Sequence, residues 1–148
     1  MNYAVVKVGL MGLGEVSFMH EAGYNDEPRA KIIAICDKDE ELAKSRAEPY
    51  NAKYYTDCDE LIKDKDVQAV DVMLPHKLHY PIAKRALLAG KHVLVEKPMS
   101  MKYKEAIDLI QTAKSVKVKL AVAENTRYVQ LYQQALSVLQ ENRLGKIW

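Results

Sequence analysis

Glu96-Lys97-Pro98 ends a short apolar run, residues 92–95, with a charged pair and a proline. The run is aliphatic and β-branched, as in a strand covered on both faces in a parallel sheet, and Pro98 has no N–H with which to continue a ladder. Lys97 is therefore expected near a strand's C-terminal end. In open α/β sheets ligands bind at that edge, so its ammonium is either a solvated loop charge or a group that meets a substrate. A second chemical segment, Leu74-Pro75-His76-Lys77-Leu78-His79, follows another apolar run and reaches the same edge. Two histidines alone suggest a metal. A transition metal wants three or four protein ligands and no neighbouring cluster supplies the rest, so no metal is expected, and a helix-start histidine packs beside a cofactor instead.

The third constellation is Gly12-Leu13-Gly14-Glu15-Val16-Ser17, between an apolar run and a segment with helical pattern. In that context Gly12 permits a tight turn and Gly14 lets the backbone approach a pyrophosphate. The following helix N-terminus offers free N–H groups and a positive dipole end. Ser17 holds the place of a third glycine and is small enough for close helix-to-strand packing. Asp37 ends the second apolar run, somewhat beyond the usual spacing of about 20 residues from the first glycine. A carboxylate there accepts hydrogen bonds from ribose hydroxyls and repels a 2′-phosphate, which favours NAD over NADP. The alternative for Asp37 is a helix N-cap, and Lys38 beside it tempers the preference for NAD.

These residues must be positioned by an alternating chain. Runs at 5–10, 31–36, 69–74, 92–95 and 119–123 read as strands, separated by amphipathic stretches, so the pattern is one of repeated βαβ units. The expected fold is a three-layer, Rossmann-type α/β domain with a doubly wound parallel sheet. Helices are expected at 18–23, at 78–89 with Ile82, Ala86 and Ala89 in step, and at 103–113 with Ala106, Ile107, Ile110 and Ala113 in step. Gly90 is the stop of the second of these. Charge clusters at 37–41 and 57–66 fall in turns or first helical turns, most of them as solvated faces.

The chain has 148 residues, the size of one domain, with 49% apolar and 28% charged residues and a formal charge of +2. That balance has no basic excess for nucleic acid. The apolar stretch 4–13 is broken by Lys7 and by glycines, too short for a membrane span and without a cleavage-site pattern, so a cytoplasmic protein is expected. Cys36 and Cys58 stand far apart in sequence without a Cys-x-x-Cys pairing and read as reduced packing residues.

Together, Gly12-Leu13-Gly14, Leu74-Pro75-His76-Lys77-Leu78-His79, the stretch from Ala89-Gly90-Lys91-His92 to Glu96-Lys97-Pro98, and Ala123-Glu124-Asn125-Thr126-Arg127-Tyr128 resemble the glucose-fructose oxidoreductase and inositol dehydrogenase family, Gfo/Idh/MocA. The resemblance covers nearly the whole chain. It implies an NAD(P)-dependent dehydrogenase acting on a sugar, a polyol or a related hydroxy compound. By the same resemblance the pyrophosphate lies on the backbone of Gly12, Leu13, Gly14, Glu15 and Val16, the adenosine ribose on Asp37, and the nicotinamide ribose near Leu74, Pro75 and His79. Glu96 helps hold the nicotinamide end and Lys97 is the catalytic residue on the substrate side. An ammonium beside the carbinol oxygen stabilises the alkoxide character that develops as hydride leaves carbon.

The family also carries a second, α+β domain that closes the substrate pocket, commonly makes the oligomer interface and usually supplies a catalytic histidine. No counterpart is read in residues 1–148. Residues 131–141 pattern as an amphipathic helix with Leu131, Ala135, Leu136 and Leu139 on one face, and Gly145-Lys146-Ile147-Trp148 resembles the entry into the absent sheet. A truncated chain is expected, with 1–148 as the NAD(P)-binding domain and the full-length protein a homo-oligomer through the absent domain. Alternatives within the family are a dinucleotide-binding regulatory module and an NAD-dependent glycosidase. The chain alone is expected to bind dinucleotide without turnover.

Overall fold

Alternation of buried apolar strands with helices produces one parallel sheet in the computed structural model, which describes residues 4–146. The expected contribution of Ile147 and Trp148 lies outside the described residues. The strands are β1 (Val6–Met11), β2 (Ala30–Cys36), β3 (Lys53–Tyr55), β4 (Ala69–Val72), β5 (His92–Val95) and β6 (Leu120–Val122). The helices are α1 (Ser17–Asp26), α2 (Glu40–Ala47), α3 (Cys58–Lys63), α4 (His76–Leu88), α5 (Tyr103–Ser115) and α6 (Gln130–Gln140). All pairings are parallel, in the order β3-β2-β1-β4-β5-β6. The chain builds outward from β1 to β3, then crosses back to β4 on the other side of β1. Between β1 and β4 the direction of winding reverses, and at such a switch point a crevice opens at the strands' C-terminal ends.

Both faces of the sheet are covered. On one, α3, α4 and α5 pack Leu61, Ile62, Ile82, Ala83, Ala86, Leu87, Leu109 and Ala113 against Met11, Val70, Val72, Val93 and Val95. On the other, Val8, Leu10, Ile32 and Ile35 meet Ala43 and Ala47 of α2. Gly9 lies where β1 runs closest to α3: an added Cβ would come within 2.7 Å of a Leu61 methyl, and the β1–β2 register shifts at this point.

Expected and observed elements differ in instructive places. The strand β3 has no apolar run behind it; it is a three-residue edge strand, exposed at Lys53 and Tyr54. The two acidic clusters do begin helices, with Asp39 capping α2 through Leu42 N and Asp57 capping α3 through Asp59 N. Asp64 is not part of a solvated face. Its carboxylate accepts from Lys53 Nζ, Tyr55 Oη and Asp66 N, which ties β3 to the loop after α3 and holds it near pH 2 against the burial that opposes this. In α5 the buried face centres on Leu109, Thr112 and Ala113, leaving Ile110 exposed. Gly90 ends α4 at φ +78°, its N–H donating to Leu87 O while Lys91 N donates to Ala86 O, a Schellman arrangement. Among the described residues no helix is long and apolar enough to cross a membrane.

Candidate functional site

The glycine loop leaves β1 at the switch point. Gly12 sits at φ +91°, and an added Cβ there would be 2.7 Å from the Met73 carbonyl oxygen. Its N–H donates to Cys36 O, so the turn is pinned to β2. Gly14 is exposed with nothing within 4 Å of an added Cβ, leaving open space where a ligand's backbone approach is expected. Glu15 is exposed, Val16 half-buried and Leu13 buried. The first turn of α1 has no side-chain cap and no acidic residue, which suits an anion. Ser17 is fully buried against the strand, and its hydroxyl accepts from Arg46 of α2. Arg46 also pairs with Glu21 and lies over the Phe18 ring at 4.0 Å, so Ser17 costs the motif no unsatisfied hydroxyl.

Asp37 crosses to this loop. Its Oδ2 accepts from Leu13 N at 2.9 Å and its Oδ1 from Asp39 N at 3.1 Å. Asp39, not Asp37, is the cap of α2, so Asp37 remains at the edge of the glycine loop, partly exposed, with Lys38 pointing to solvent.

Across the switch point lies a cleft of about 370 Å³ lined by Val16, Met19, Leu74, His79, Glu96 and Lys97 among others. Lys97 is exposed at its rim, after a backbone bond from Glu96 N to Val72 O that ends the β5 ladder. Pro75 caps the start of α4 and is exposed. His79 is fully buried, and both ring nitrogens face backbone carbonyls, Nδ1 to Pro98 O at 2.7 Å and Nε2 to Leu74 O at 2.6 Å. It ties the loops after β4 and β5 together and lines the cleft beside Leu74 and His76.

Glu96 is held from two sides: Oε2 accepts from Lys97 N at 2.9 Å, and Oε1 lies 3.1 Å from Nε2 of His20 on α1. Nδ1 of the same ring is 2.7 Å from Asp71, a fully buried carboxylate within β4 that also accepts from Tyr24 Oη. The Asp71 hydrogen bond raises the His20 pKa above its ordinary value against desolvation, with Glu96 adding to the rise. Desolvation and Asp71 together push the Tyr24 hydroxyl far up. Glu124, after β6, has its carboxyl lowered chiefly by hydrogen bonds from Thr126 and, to a lesser extent, by the Lys97 ammonium.

A family model described as the oxidoreductase family with an NAD-binding Rossmann fold (Gfo/Idh/MocA) matches residues 6–124. The chain belongs to the Gfo/Idh/MocA oxidoreductase family. It is 36% identical, over 97% of its length, to a glycosyl hydrolase family 109 protein of Shewanella amazonensis. Among solved structures it is similar to an NAD binding oxidoreductase from Klebsiella pneumoniae, with 32% identity and a TM-score of 0.82 over 96% of this chain and 40% of that one. It is also similar to a 3-ketoreductase from Actinomadura kijaniata in complex with NADP and TDP-benzene, with 28% identity and a TM-score of 0.88 over 93% of this chain and 43% of that one. The chain spans 34% of the length of the Shewanella protein, and well under half of the other curated relatives it matches.

Within this Gfo/Idh/MocA domain the fold brings Gly12 through Val16, Asp37, Leu74, Pro75, Glu96 and Lys97 to one edge of the sheet. Sequence reading missed His20 and Asp71. The available signal was Asp71 itself, a carboxylate between Val70 and Val72 in a strand with both faces covered, which requires a partner. Cys36 and Cys58, distant in sequence, meet with their Sγ atoms 3.8 Å apart beside Asp37, both as free thiols.

Proposed function

We propose that this chain is the NAD(P)-binding domain of an oxidoreductase that moves hydride between a nicotinamide cofactor and a sugar, polyol or related hydroxy compound. One observation carries the reading: the glycine loop, with Asp37 bonded across it, and Lys97 lie on either side of one switch-point crevice. The residues suit a dinucleotide. Gly14 leaves room for a pyrophosphate, the uncapped start of α1 supplies N–H donors, and Asp37, with Oδ2 on the loop and Oδ1 on the Asp39 N–H, stands at the loop's edge where an adenosine ribose would follow.

When bound, the nicotinamide supplies the hydride acceptor or donor. Lys97 orients the substrate oxygen and stabilises the negative charge that develops on it. Glu96, fixed by His20 and by the Lys97 N–H, braces the nicotinamide end. The nicotinamide ribose lies near Leu74, Pro75 and His79. Residues 131–148 lead into a second, α+β substrate domain in the whole protein, through which it assembles as a homo-oligomer.

Two experiments test this. Titration of the chain with NADH and NADPH by fluorescence should show tighter NADH binding, because Asp37 repels a 2′-phosphate; tighter NADPH binding overturns that preference. In the whole protein, Lys97→Ala should cut turnover by roughly a hundredfold or more, the scale of losing one charge-stabilising donor, with cofactor affinity nearly unchanged. Equal turnover in mutant and wild type rules out the catalytic role.

A second reading, glycoside cleavage that uses bound NAD, is favoured by the 36% identity to the glycosyl hydrolase family 109 protein. Product assays separate the two, since net NADH accumulation with substrate marks a dehydrogenase and cleavage without it marks a glycosidase. A purely regulatory dinucleotide module has no use for Lys97, and its presence weighs against that class.

A further inference from the structure

Asp71 is an expensive residue at its position. It is fully buried in β4, one oxygen has no hydrogen-bond partner among the described residues, and an apolar side chain would fill the same space at lower cost. Its other oxygen holds the His20 ring by Nδ1, and the far side of that ring meets Glu96. The hydrogen bonds to Asp71 and Glu96 both favour the imidazolium form of His20, in which both ring nitrogens donate.

The bridge ends at the candidate site, because Glu96 Oε2 takes the backbone N–H of Lys97. We propose that His20 is a positioning residue: anchored on Asp71, it locks the Glu96 carboxylate and through it the backbone that presents Lys97 to the cleft. The proposal rests on reading that corner as the nicotinamide end. His20 touches neither substrate nor cofactor in this role. Remove its Nε2 donor and Glu96 loses its cationic partner, turns toward solvent and releases the Lys97 N–H.

The groups facing the ring are Asp71 from β4 and Glu96 from the end of β5, with Tyr24 of α1 on the shared Asp71 oxygen. Glu27 lines the same pocket, paired with Arg29. Asparagine can place an amide donor where Nδ1 stands and glutamine where Nε2 stands, so two substitutions separate the two ends of the bridge. A role confined to the buried Asp71 predicts that His20→Asn suffices. A role at Glu96 predicts that His20→Gln does.

Amide NMR of the chain reads the outcome. In wild type the Lys97 N–H resonance should move with pH at the same midpoint as the His20 ring. It should be displaced and lose that titration in His20→Asn, and stay near its wild-type position in His20→Gln. NADH affinity should fall about five- to tenfold in His20→Asn and stay within about twofold in His20→Gln. A Lys97 amide indifferent to both variants, or equal effects that merely track lowered thermal stability, overturns the positioning role. Wild type that binds no NADH sinks the dinucleotide reading of the site, and the Lys97 amide still decides the role of His20.

Discussion

At the level of single residues, Gly12 and Gly14 share a motif and differ in what the structure asks of them. Gly12 adopts a backbone conformation that L side chains rarely take, with a carbonyl oxygen where a Cβ would go. Gly12→Ala should therefore destabilise the fold by roughly 1–3 kcal/mol from backbone strain, and by more once the Met73 carbonyl is displaced, lowering Tm by several degrees. Gly14 has open space on its Cβ side, so Gly14→Ala should leave Tm within about 2 °C while weakening NADH about tenfold, or about 1.4 kcal/mol. Calorimetry with an NADH titration checks both, and a large Tm loss in Gly14→Ala would show that the glycine serves packing. The positions of these glycines, Asp37 and Lys97 are legible in the sequence because each follows a strand at a short offset and so comes to the same edge of the sheet. His20 is not legible. Its partners lie 51 and 76 positions away, and nothing local to α1 distinguishes a bridging histidine from a surface one.

Among the elements, strands and helices are readable to the degree that burial writes their pattern. The strands β1, β2, β4 and β5 are apolar because helices cover both faces, and the sequence shows them as continuous runs. The edge strand β3 escapes notice: it is three residues long, buries none of them fully and relies on Asp64 to hold Lys53 and Tyr55. The helix α6 shows the reverse. Its apolar stripe is legible, yet no residue of α6 is buried, and Leu131, Tyr132, Leu136 and Leu139 are all exposed. Periodicity reports that a face exists without saying what covers it. Hydrogen exchange of the chain should then show α6 amides exchanging at least about tenfold faster than those of α4, whose face closes on the sheet through Ile82, Ala83, Ala86 and Leu87. Protection in α6 equal to that in α4 would mean that its face is occupied in solution.

For the whole molecule, the Asp71–His20–Glu96 bridge joins α1 to β4 and to the end of β5, so its protonation bears on global stability. His20 has a folded pKa raised above the 6.5 of a free imidazole, first by the Asp71 hydrogen bond. The folded state thus binds the proton more tightly than the unfolded chain. The resulting stabilisation is fully present below pH 6.5 and is lost as pH rises through the folded value. The Cys36–Cys58 thiol pair also titrates on the alkaline side, where the hydrogen bond between them raises Cys36 and lowers Cys58, two effects that oppose each other. Carboxylates such as Asp64, held near pH 2, change the balance only in acid, far from this window. The informative quantity is therefore the difference between wild type and His20→Asn, which cancels the contribution of the thiols. Urea unfolding at closely spaced pH values from 5.5 to about 9 should give a difference that is constant at the acid end and shrinks steadily on the alkaline side of 6.5. A difference that stays constant across the range would mean that His20 titrates alike in the folded and unfolded chain and that the bridge does not favour the imidazolium.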